Sequence, residues 1–248
     1  KLLTDYLFTC AGQAAALALP APSYVYAYNH FDSFAPSLFA KFGLPDMSFF
    51  FVQLAAYFSD YSSIRNAQMA ALALPRTGYA VAIDLGDASS PVNPIHPRRK
   101  QEVGRRLALS ALKVQYGRDV VDTGPVFAAA ATDAAAGMMA VSFAPGTASG
   151  LHRAPTADCD QVGSKLCCDE SPFEVRVDGG AWVRAAYTLG ATGVVLRLPA
   201  NTTQPPAARY DWEAWPQCAL YNGAGGPDDH TGIAGTPWCW DGAKPCAW

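Results

Sequence analysis

Two short apolar runs flank a segment whose apolar residues recur at helical spacing. The runs, residues 49–54 and 79–85, have the continuous apolar character of strands that are buried on both faces of a parallel sheet. Residues 64–74 form an amphipathic pattern that predicts a helix, and a second helical pattern begins after Pro97. This order predicts a βαβ unit with right-handed crossovers, and therefore an α/β fold.

The hydrophobic pattern changes after Gly124-Pro125. Short runs with strand character then alternate with turns rich in Gly, Pro and Asp, at residues 126–143, 173–177, 182–187 and 193–198. From Pro199 the tail is rich in Trp, Gly and Pro, which predicts little regular structure. We therefore expect part of a parallel sheet with helices in residues 47–124, followed by a cysteine-rich, β-sandwich-like layer in residues 125–248.

The composition limits the partners of the chain. Half of the 248 residues are hydrophobic and 16% are charged, so the chain can bury a core and is not of the disordered type. A formal net charge of -3 offers no electrostatic argument for binding nucleic acid or an anionic membrane. No apolar run approaches the ~20 residues of a transmembrane helix, so we expect no membrane span.

Six of the seven cysteines lie in the last third of the chain, while Cys10 stands apart. The six are Cys159, Cys167, Cys168, Cys218, Cys239 and Cys246. Without a C-x-x-C zinc spacing, they indicate either a disulfide framework or buried free thiols. Disulfides and the glycosylation acceptor at Asn201 predict a secreted, cell-surface or lysosomal protein. Because the chain begins at Lys1 without a signal-peptide pattern, we expect a processed chain or a fragment.

The loop after the second predicted strand carries a histidine that is placed for chemistry. In an open α/β sheet, ligands bind outside the carboxyl ends of the strands, and the loop after Leu85 lies at such an end. His96 lies at the far side of this loop, immediately before a predicted helix. A neutral imidazole there either takes and returns a proton in catalysis or caps the helix by hydrogen bonding.

An ordered set of short motifs surrounds this loop. It comprises Phe51-Val52-Gln53-Leu54, Ile64-Arg65, Ala80 to Asp87, Ser90-Pro91, Ile95-His96-Pro97-Arg98, Lys100-Gln101, Arg106-Leu107, Cys167-Cys168, Arg209-Tyr210 and Trp215-Pro216. Together these motifs resemble the distal half of the sialate O-acetylesterase family, over roughly residues 42–225. The resemblance implies an SGNH-like serine hydrolase that removes O-acetyl groups from sialic acids and needs no metal or other cofactor. It places the family's catalytic histidine on His96.

The chain departs from this family at the nucleophile. The family's Gly-Gln-Ser-Asn motif belongs to a proximal half, and no serine of this chain matches it. A separate segment or a second chain would have to supply that serine. SGNH enzymes place Asp three residues before the histidine, where this chain has Asn93, an amide that does not stabilise an imidazolium by charge. Asp87, Asp84 or a backbone carbonyl is left to orient the ring, and of these we expect Asp87 to do so.

Two residues near the predicted sheet edge are candidate substrate ligands. Gln53 ends a predicted strand, where its amide either binds a substrate or satisfies local backbone groups. Arg65 offers a planar fork to a sialic acid carboxylate, unless it is solvated or paired with an aspartate. The basic run Arg98-Arg99-Lys100 either attracts an anionic sugar or forms a solvated face.

The first 46 residues resemble a different family, the type-B carboxylesterases. The resemblance rests on Asp5 to Cys10 and on Pro22 to Tyr28, and it includes neither the G-x-S-x-G elbow nor that family's catalytic histidine.

Two main functions compete for the chain as a whole. The chain is the histidine half of a sialate O-acetylesterase-like enzyme acting on an O-acetylated sialic acid or related sugar, or it is an inactive esterase-like module used for binding or assembly. A plain carboxylesterase is the third hypothesis.

Overall fold

A parallel pair of strands precedes an antiparallel, β-rich region. The computed structural model describes residues 48–162, 166–200, 202, 206–223 and 232–246. Strand β1 (Phe49–Val52) pairs in parallel with strand β2 (Thr77–Ala80). The predicted carboxylesterase-like segment 1–46 and the glycosylation acceptor Asn201 lie outside the described residues, so both stay predictions.

The crossover between the two parallel strands is helical, as the pattern predicts. Helix α1 (Ser62–Gln68) runs directly into a 3-10 turn at Met69–Ala73. Both strands are shorter than the apolar runs that predicted them. After β2 the backbone leaves the ladder but stays buried through Leu85, where the Val81 carbonyl accepts a hydrogen bond from Arg106 and the Asp84 carbonyl accepts one from the Ala157 amide. In the described ranges β1 and β2 form a sheet of two strands.

Helix α2 (Lys100–Val114) packs on both parallel strands and buries an unexpected face. The sequence pattern predicts an apolar face through Val103 and Leu107, yet these side chains are only half-buried. The fully buried stripe is polar and consists of Glu102, Arg106 and Ser110 at helical spacing. The Ser110 hydroxyl accepts a hydrogen bond from the Tyr79 amide of β2 at 3.1 Å. The helix therefore docks through polar contacts as well as through apolar area.

Ten further strands follow in the described ranges. In chain order they are β3 (Phe127–Asp133), β4 (Met138–Phe143), β5 (His152–Pro155), β6 (Phe173–Arg176), β7 (Val183–Arg184), β8 (Tyr187–Leu189), β9 (Gly193–Arg197), β10 (Ala207–Tyr210), β11 (Cys218–Tyr221) and β12 (Trp238–Trp240). They pair antiparallel in sheets of order β3-β4-β9-β8, β12-β10-β6-β7 and β11-β5. The prediction of little regular structure after Pro199 is wrong, because β10, β11 and β12 form there by pairing with distant strands.

The two four-stranded sheets share one hydrophobic core. Strand β4 alternates exposed and buried residues along its whole length, as a strand with one face on a core does. Its buried side chains, such as Val141, join Leu196 of β9, Phe173 of β6 and Tyr210 of β10 in one cluster. A core built from the inner faces of two antiparallel sheets is the arrangement of a β-sandwich.

Three disulfides pair the six cysteines of the last third. They join Cys159 to Cys167, Cys168 to Cys218, and Cys239 to Cys246. The predicted disulfide framework is confirmed, and the adjacent Cys167 and Cys168 bond to different partners. Cys168–Cys218 closes a span of 50 residues and attaches the Cys-rich loop to β11. Among the described residues no helix is long and apolar enough to cross a membrane.

Candidate active site

His96 lies on an exposed loop that connects the end of strand β2 to helix α2. Its backbone amide donates a hydrogen bond to the Asn93 carbonyl at 2.8 Å, and its own carbonyl accepts one from the Ser90 hydroxyl at 2.8 Å. Asn93 also accepts a hydrogen bond from the Ile95 amide through its side chain, which makes an Asx turn. The loop is thus held by its own backbone, and the imidazole faces solvent.

Asp87, the predicted orienting acid, is paired with an arginine of the same loop. Its Oδ2 accepts hydrogen bonds from the Arg98 Nε at 2.7 Å and from the Arg98 backbone amide at 2.9 Å. Its Oδ1 accepts one from Arg98 Nη2 at 2.9 Å. The Arg98 hydrogen bonds, against an opposing desolvation effect, lower the pKa of Asp87 to about 2. The carboxylate therefore fixes the chain two residues after His96, and its catalytic role stays a prediction.

Asp84, the alternative acid, lies in a buried ion network. Both oxygens accept hydrogen bonds from the Arg106 guanidinium, at 2.7 and 2.8 Å, and both side chains have no exposed surface. Arg106 also donates to Glu102 at 2.7 Å and to the Val81 carbonyl at 2.8 Å. The Tyr221 hydroxyl of β11 donates to Asp84 at 3.0 Å. This network fastens the end of β2 to α2 and to the β-rich region.

The network also decides the protonation of its arginine. Burial disfavours the charged guanidinium of Arg106, but Asp84 and Glu102 outweigh burial and raise the pKa of Arg106 above its ordinary value. Burial raises the pKa of the Tyr221 hydroxyl well above its ordinary value, so Tyr221 stays a donor. Each carboxylate is therefore matched by donors, which is the condition for burying charge at low cost.

The predicted substrate ligands Gln53 and Arg65 are both fully buried. Arg65 donates to the carbonyls of Leu54 at 3.0 Å and Ala55 at 3.0 Å, and to two carbonyls of the β-rich region, those of Glu213 at 2.9 Å and Ala214 at 3.2 Å. Burial lowers the pKa of Arg65 to about 10. The guanidinium therefore joins two parts of the chain through backbone carbonyls.

Gln53 lies next to this arginine. Its Nε2 donates to the Arg65 carbonyl at 3.3 Å, while its Oε1 is buried without a hydrogen-bond partner among the described residues. Gln53 and Arg65 have no exposed surface in this conformation. A substrate contact by either residue stays a prediction.

The basic run before α2 is engaged in ion pairs. Arg98 contacts Asp87, and Arg99 donates to Asp158 at 3.0 Å and to the Gly86 carbonyl at 2.8 Å. Arg98 and Lys100 are exposed, as a solvated face predicts, and Arg99 is half-buried. The sequence did not indicate a role for Asp158, because Asp158 is separated from Arg99 by 59 positions and no local pattern marks such a pair.

The loop also packs against an aromatic side chain of the β-rich region. Gly86 lies so close to Trp215 that a Cβ added there would be 2.4 Å from the indole ring. Trp215 therefore belongs to the core. In the described residues no group of three carboxylate, histidine or cysteine side chains could hold a metal ion.

Comparisons with known proteins agree on an esterase, although no protein-family model matches the chain. The chain is 32% identical to the sialate O-acetylesterase of Mus musculus over 195 residues, which cover 70% of this chain and 33% of the mouse protein. It is 31% identical to that of Rattus norvegicus and 28% identical to that of Homo sapiens, each over 66% of this chain and over 28% and 29% of the respective relative. The chain spans about a third of the length of the curated relatives it matches.

A solved structure gives the same indication. The crystal structure of a carbohydrate acetylesterase from Xanthomonas citri superposes on this chain with a TM-score of 0.64 at 28% sequence identity. The superposition covers 88% of this chain and 46% of that chain. It therefore extends over both the parallel strands and the β-rich region.

Proposed function

Because the part of the chain aligned with the mammalian esterases belongs to the sialate O-acetylesterase family, we propose that it carries the acid–base histidine of a carbohydrate O-acetylesterase. The observation that carries the proposal is the Ile95-His96-Pro97-Arg98 loop, which begins beyond the carboxyl end of a parallel strand. In this position an exposed imidazole is accessible to a substrate and to a nucleophile from another segment.

In the proposed reaction a serine hydroxyl attacks the carbonyl carbon of an O-acetyl group, and His96 accepts the hydroxyl proton. His96 returns this proton to the sugar oxygen as the ester bond breaks. Water then attacks the acetyl-serine with His96 as the base, so that acetate leaves and the serine is restored. Asp87 supports His96 by fixing Arg98 and hence the end of the loop.

The nucleophile has to come from elsewhere, since no serine of this chain lies in the family's motif. We propose that β1 and β2 are part of a larger SGNH-like parallel sheet whose remaining segment, or a second chain, supplies the serine. The length of the relatives supports this proposal, because this chain spans about a third of them.

The proposed substrate is an O-acetylated sialic acid or a related acetylated sugar, and the proposed location is secreted, cell-surface or lysosomal. The names of the relatives support the substrate class. The three disulfides support an oxidising compartment, because such bonds are rare in the cytosol. Glycosylation of Asn201 fits the same location and stays a prediction.

Acetate release from an O-acetylated sialoside by the complete protein tests the proposal. Removing a general acid–base group costs about 10²- to 10⁴-fold in rate, so His96→Ala should lose activity on that scale. His152→Ala is the matched control and should keep its activity, because it removes an imidazole on β5 that stacks on Tyr221 and is not part of the His96 loop. Full activity of His96→Ala would show that this histidine is not the acid–base group.

A second candidate function is an inactive esterase-like module for binding or assembly. The amide of Asn93, at the position where SGNH enzymes have an acid, favours it. A fluorophosphonate probe distinguishes the two, since it labels activated serines. Labelling of a serine in the complete protein excludes the inactive module, and absence of both labelling and acetate release excludes the enzyme.

A further inference from the structure

The loop that carries His96 is joined to the β-rich region by the carboxylate of Asp158. Its Oδ2 accepts a hydrogen bond from the Ala88 backbone amide at 2.8 Å. Its Oδ1 accepts one from the Arg99 guanidinium at 3.0 Å. Ala88 precedes His96 in the chain and Arg99 follows it, so one carboxylate connects the two ends of the loop.

The backbone that presents Asp158 is itself fixed. Asp158 has a φ of 55° and a ψ of 22°, a left-handed conformation that aspartate, asparagine and glycine tolerate better than other residues. The Ala157 amide before it donates to the Asp84 carbonyl at 2.9 Å. Cys159 after it is bonded to Cys167, and the Cys159 carbonyl accepts a hydrogen bond from Gln217 at 2.7 Å.

The surroundings strengthen these contacts. The side chain of Asp158 is 10% exposed and that of Arg99 is 28% exposed, so the pair is partly shielded from water. Charge-assisted hydrogen bonds in such an environment are stronger than those of neutral groups in water. A partly buried carboxylate on a fixed turn can therefore hold a loop that is otherwise exposed at its tip.

We propose that Asp158 is a positioning residue for His96, which holds both ends of the 88–99 loop at a fixed spacing. This inference rests on the proposed function, because positioning affects the rate only if His96 transfers protons in catalysis. Displacing a catalytic group by about 1 Å can cost up to about 10²-fold in rate. Loss of the Asp158 carboxylate should thus lower kcat and leave KM nearly unchanged.

Three variants of the complete protein test this assignment on an O-acetylated sialoside. Asp158→Gly removes the carboxylate and keeps the left-handed backbone accessible, and it should lower kcat by about 10- to 100-fold. Asp158→Asn keeps the same backbone preference but only one acceptor oxygen, with an NH2 facing the other donor, so it should lower kcat by about 3- to 10-fold, less than Asp158→Gly does. Asp160→Asn removes an exposed charge from the same turn and should behave as the unchanged protein.

Two kinetic outcomes would overturn the proposal. The first is an Asp158→Gly variant with unchanged kcat, because the carboxylate would then not position the histidine. The second is a loss confined to KM, which would place Asp158 in substrate binding instead. If Asp158→Gly does not fold, Arg99→Met breaks the same contact from the other side and should lower kcat in the same way.

Hydrogen–deuterium exchange separates this inference from the proposed function. Amides of the 88–99 loop should exchange faster in Asp158→Gly than in Asp160→Asn, whether or not the protein releases acetate. If the unchanged protein shows no esterase activity, the proposed function fails while the exchange still measures the loop. Equal exchange in the two variants overturns the role of Asp158 by itself.

Discussion

Two buried aspartates that follow strand β2 each pair with an arginine, and the two arginines differ in their exposure to solvent. Asp84 and its partner Arg106 have no exposed surface. Asp87 is equally buried, but its partner Arg98 is 60% exposed. The same chemistry, three positions apart, therefore fastens helix α2 in the core in one case and pins an exposed loop in the other.

The two pairs differ in whether water can replace the arginine when it is removed. If Arg106 is removed, the buried Asp84 loses both guanidinium hydrogen bonds where water cannot replace them, while Glu102 loses one and keeps two from Arg105. If Arg98 is removed, solvent takes over much of its role, and the Arg98 backbone amide still donates to Asp87. The buried pair should thus govern stability, and the exposed pair the geometry of the His96 loop.

Breaking the buried pair should have the largest effect on stability. Arg106→Met removes four hydrogen bonds and leaves Asp84 and Glu102 buried without their common partner. Removing one partner of a buried ion pair costs about 3–5 kcal/mol, and we expect this loss in the free energy of unfolding by urea. Arg118→Met is the matched control, since Arg118 is exposed and its loss should stay within about 0.5 kcal/mol. Equal losses in both variants would refute the contrast.

Gly86, which lies between the two aspartates, tests how tightly the chain packs against Trp215. An added Cβ at Gly86 would meet the Trp215 ring at 2.4 Å, whereas one at Gly104 of α2 meets nothing within 4 Å. Gly86→Ala should therefore destabilise the fold by about 1–3 kcal/mol through overpacking. Gly104→Ala should stabilise it by about 0.5–1 kcal/mol, because alanine favours the helix. Thermal unfolding of both variants measures the opposite signs, and the same sign in both would contradict the packing at Gly86.

Breaking the exposed pair should have the smallest effect, and one that depends on pH. The pKa of Asp87 is about 2 in the folded chain, below the ordinary value of 3.8. Its stabilising contribution is therefore complete above pH ~4 and is lost as the pH falls toward 2. Arg98→Gln should return the pKa of Asp87 toward its ordinary value and lower Tm by about 2 °C or less at neutral pH.

Acid unfolding measures this effect. The difference in stability between Arg98→Gln and the unchanged protein should shrink as the pH falls from 4 to 2, because Asp87 becomes protonated in both. Lys100→Gln removes a neighbouring exposed charge and should leave the acid limb where it is. A difference that grows toward low pH would have the wrong sign for a carboxylate with a lowered pKa.

Much of the fold could be predicted from local patterns. The helices near residues 64–74 and after Pro97 form as predicted, because helical periodicity is a property of neighbouring residues. The strands after Pro199 could not be predicted, since their runs are short and they form by pairing with distant segments: β10 pairs with β6, β11 with β5, and β12 with β10. The buried stripe of α2 was hidden because a buried Glu102–Arg106 pair looks the same in sequence as a solvated one.

The candidate site divides in the same way. The sequence marked His96 and Asp87 through their loop and through the motif that surrounds them. It did not mark Asp158. This residue reaches Arg99 because the turn at residues 157–159 is bound to the segment after β2, through the Ala157 amide and the Asp84 carbonyl. It gave Gln53 either a substrate contact or a backbone contact, and Arg65 either a carboxylate contact or a solvated or Asp-paired position, whereas the folded chain encloses both side chains.

The sequence by itself thus determined where the two helices form and which loop carries His96, and it indicated a disulfide framework for six cysteines without excluding free thiols. The tertiary structure alone decided the partner of each charge and each cysteine, and hence the different surroundings of Asp84 and Asp87. The physical reason is the range of the interactions. Periodicity and turn chemistry act between near neighbours, whereas ion pairs and burial depend on residues as far apart as Asp84 and Tyr221, 137 positions along the chain.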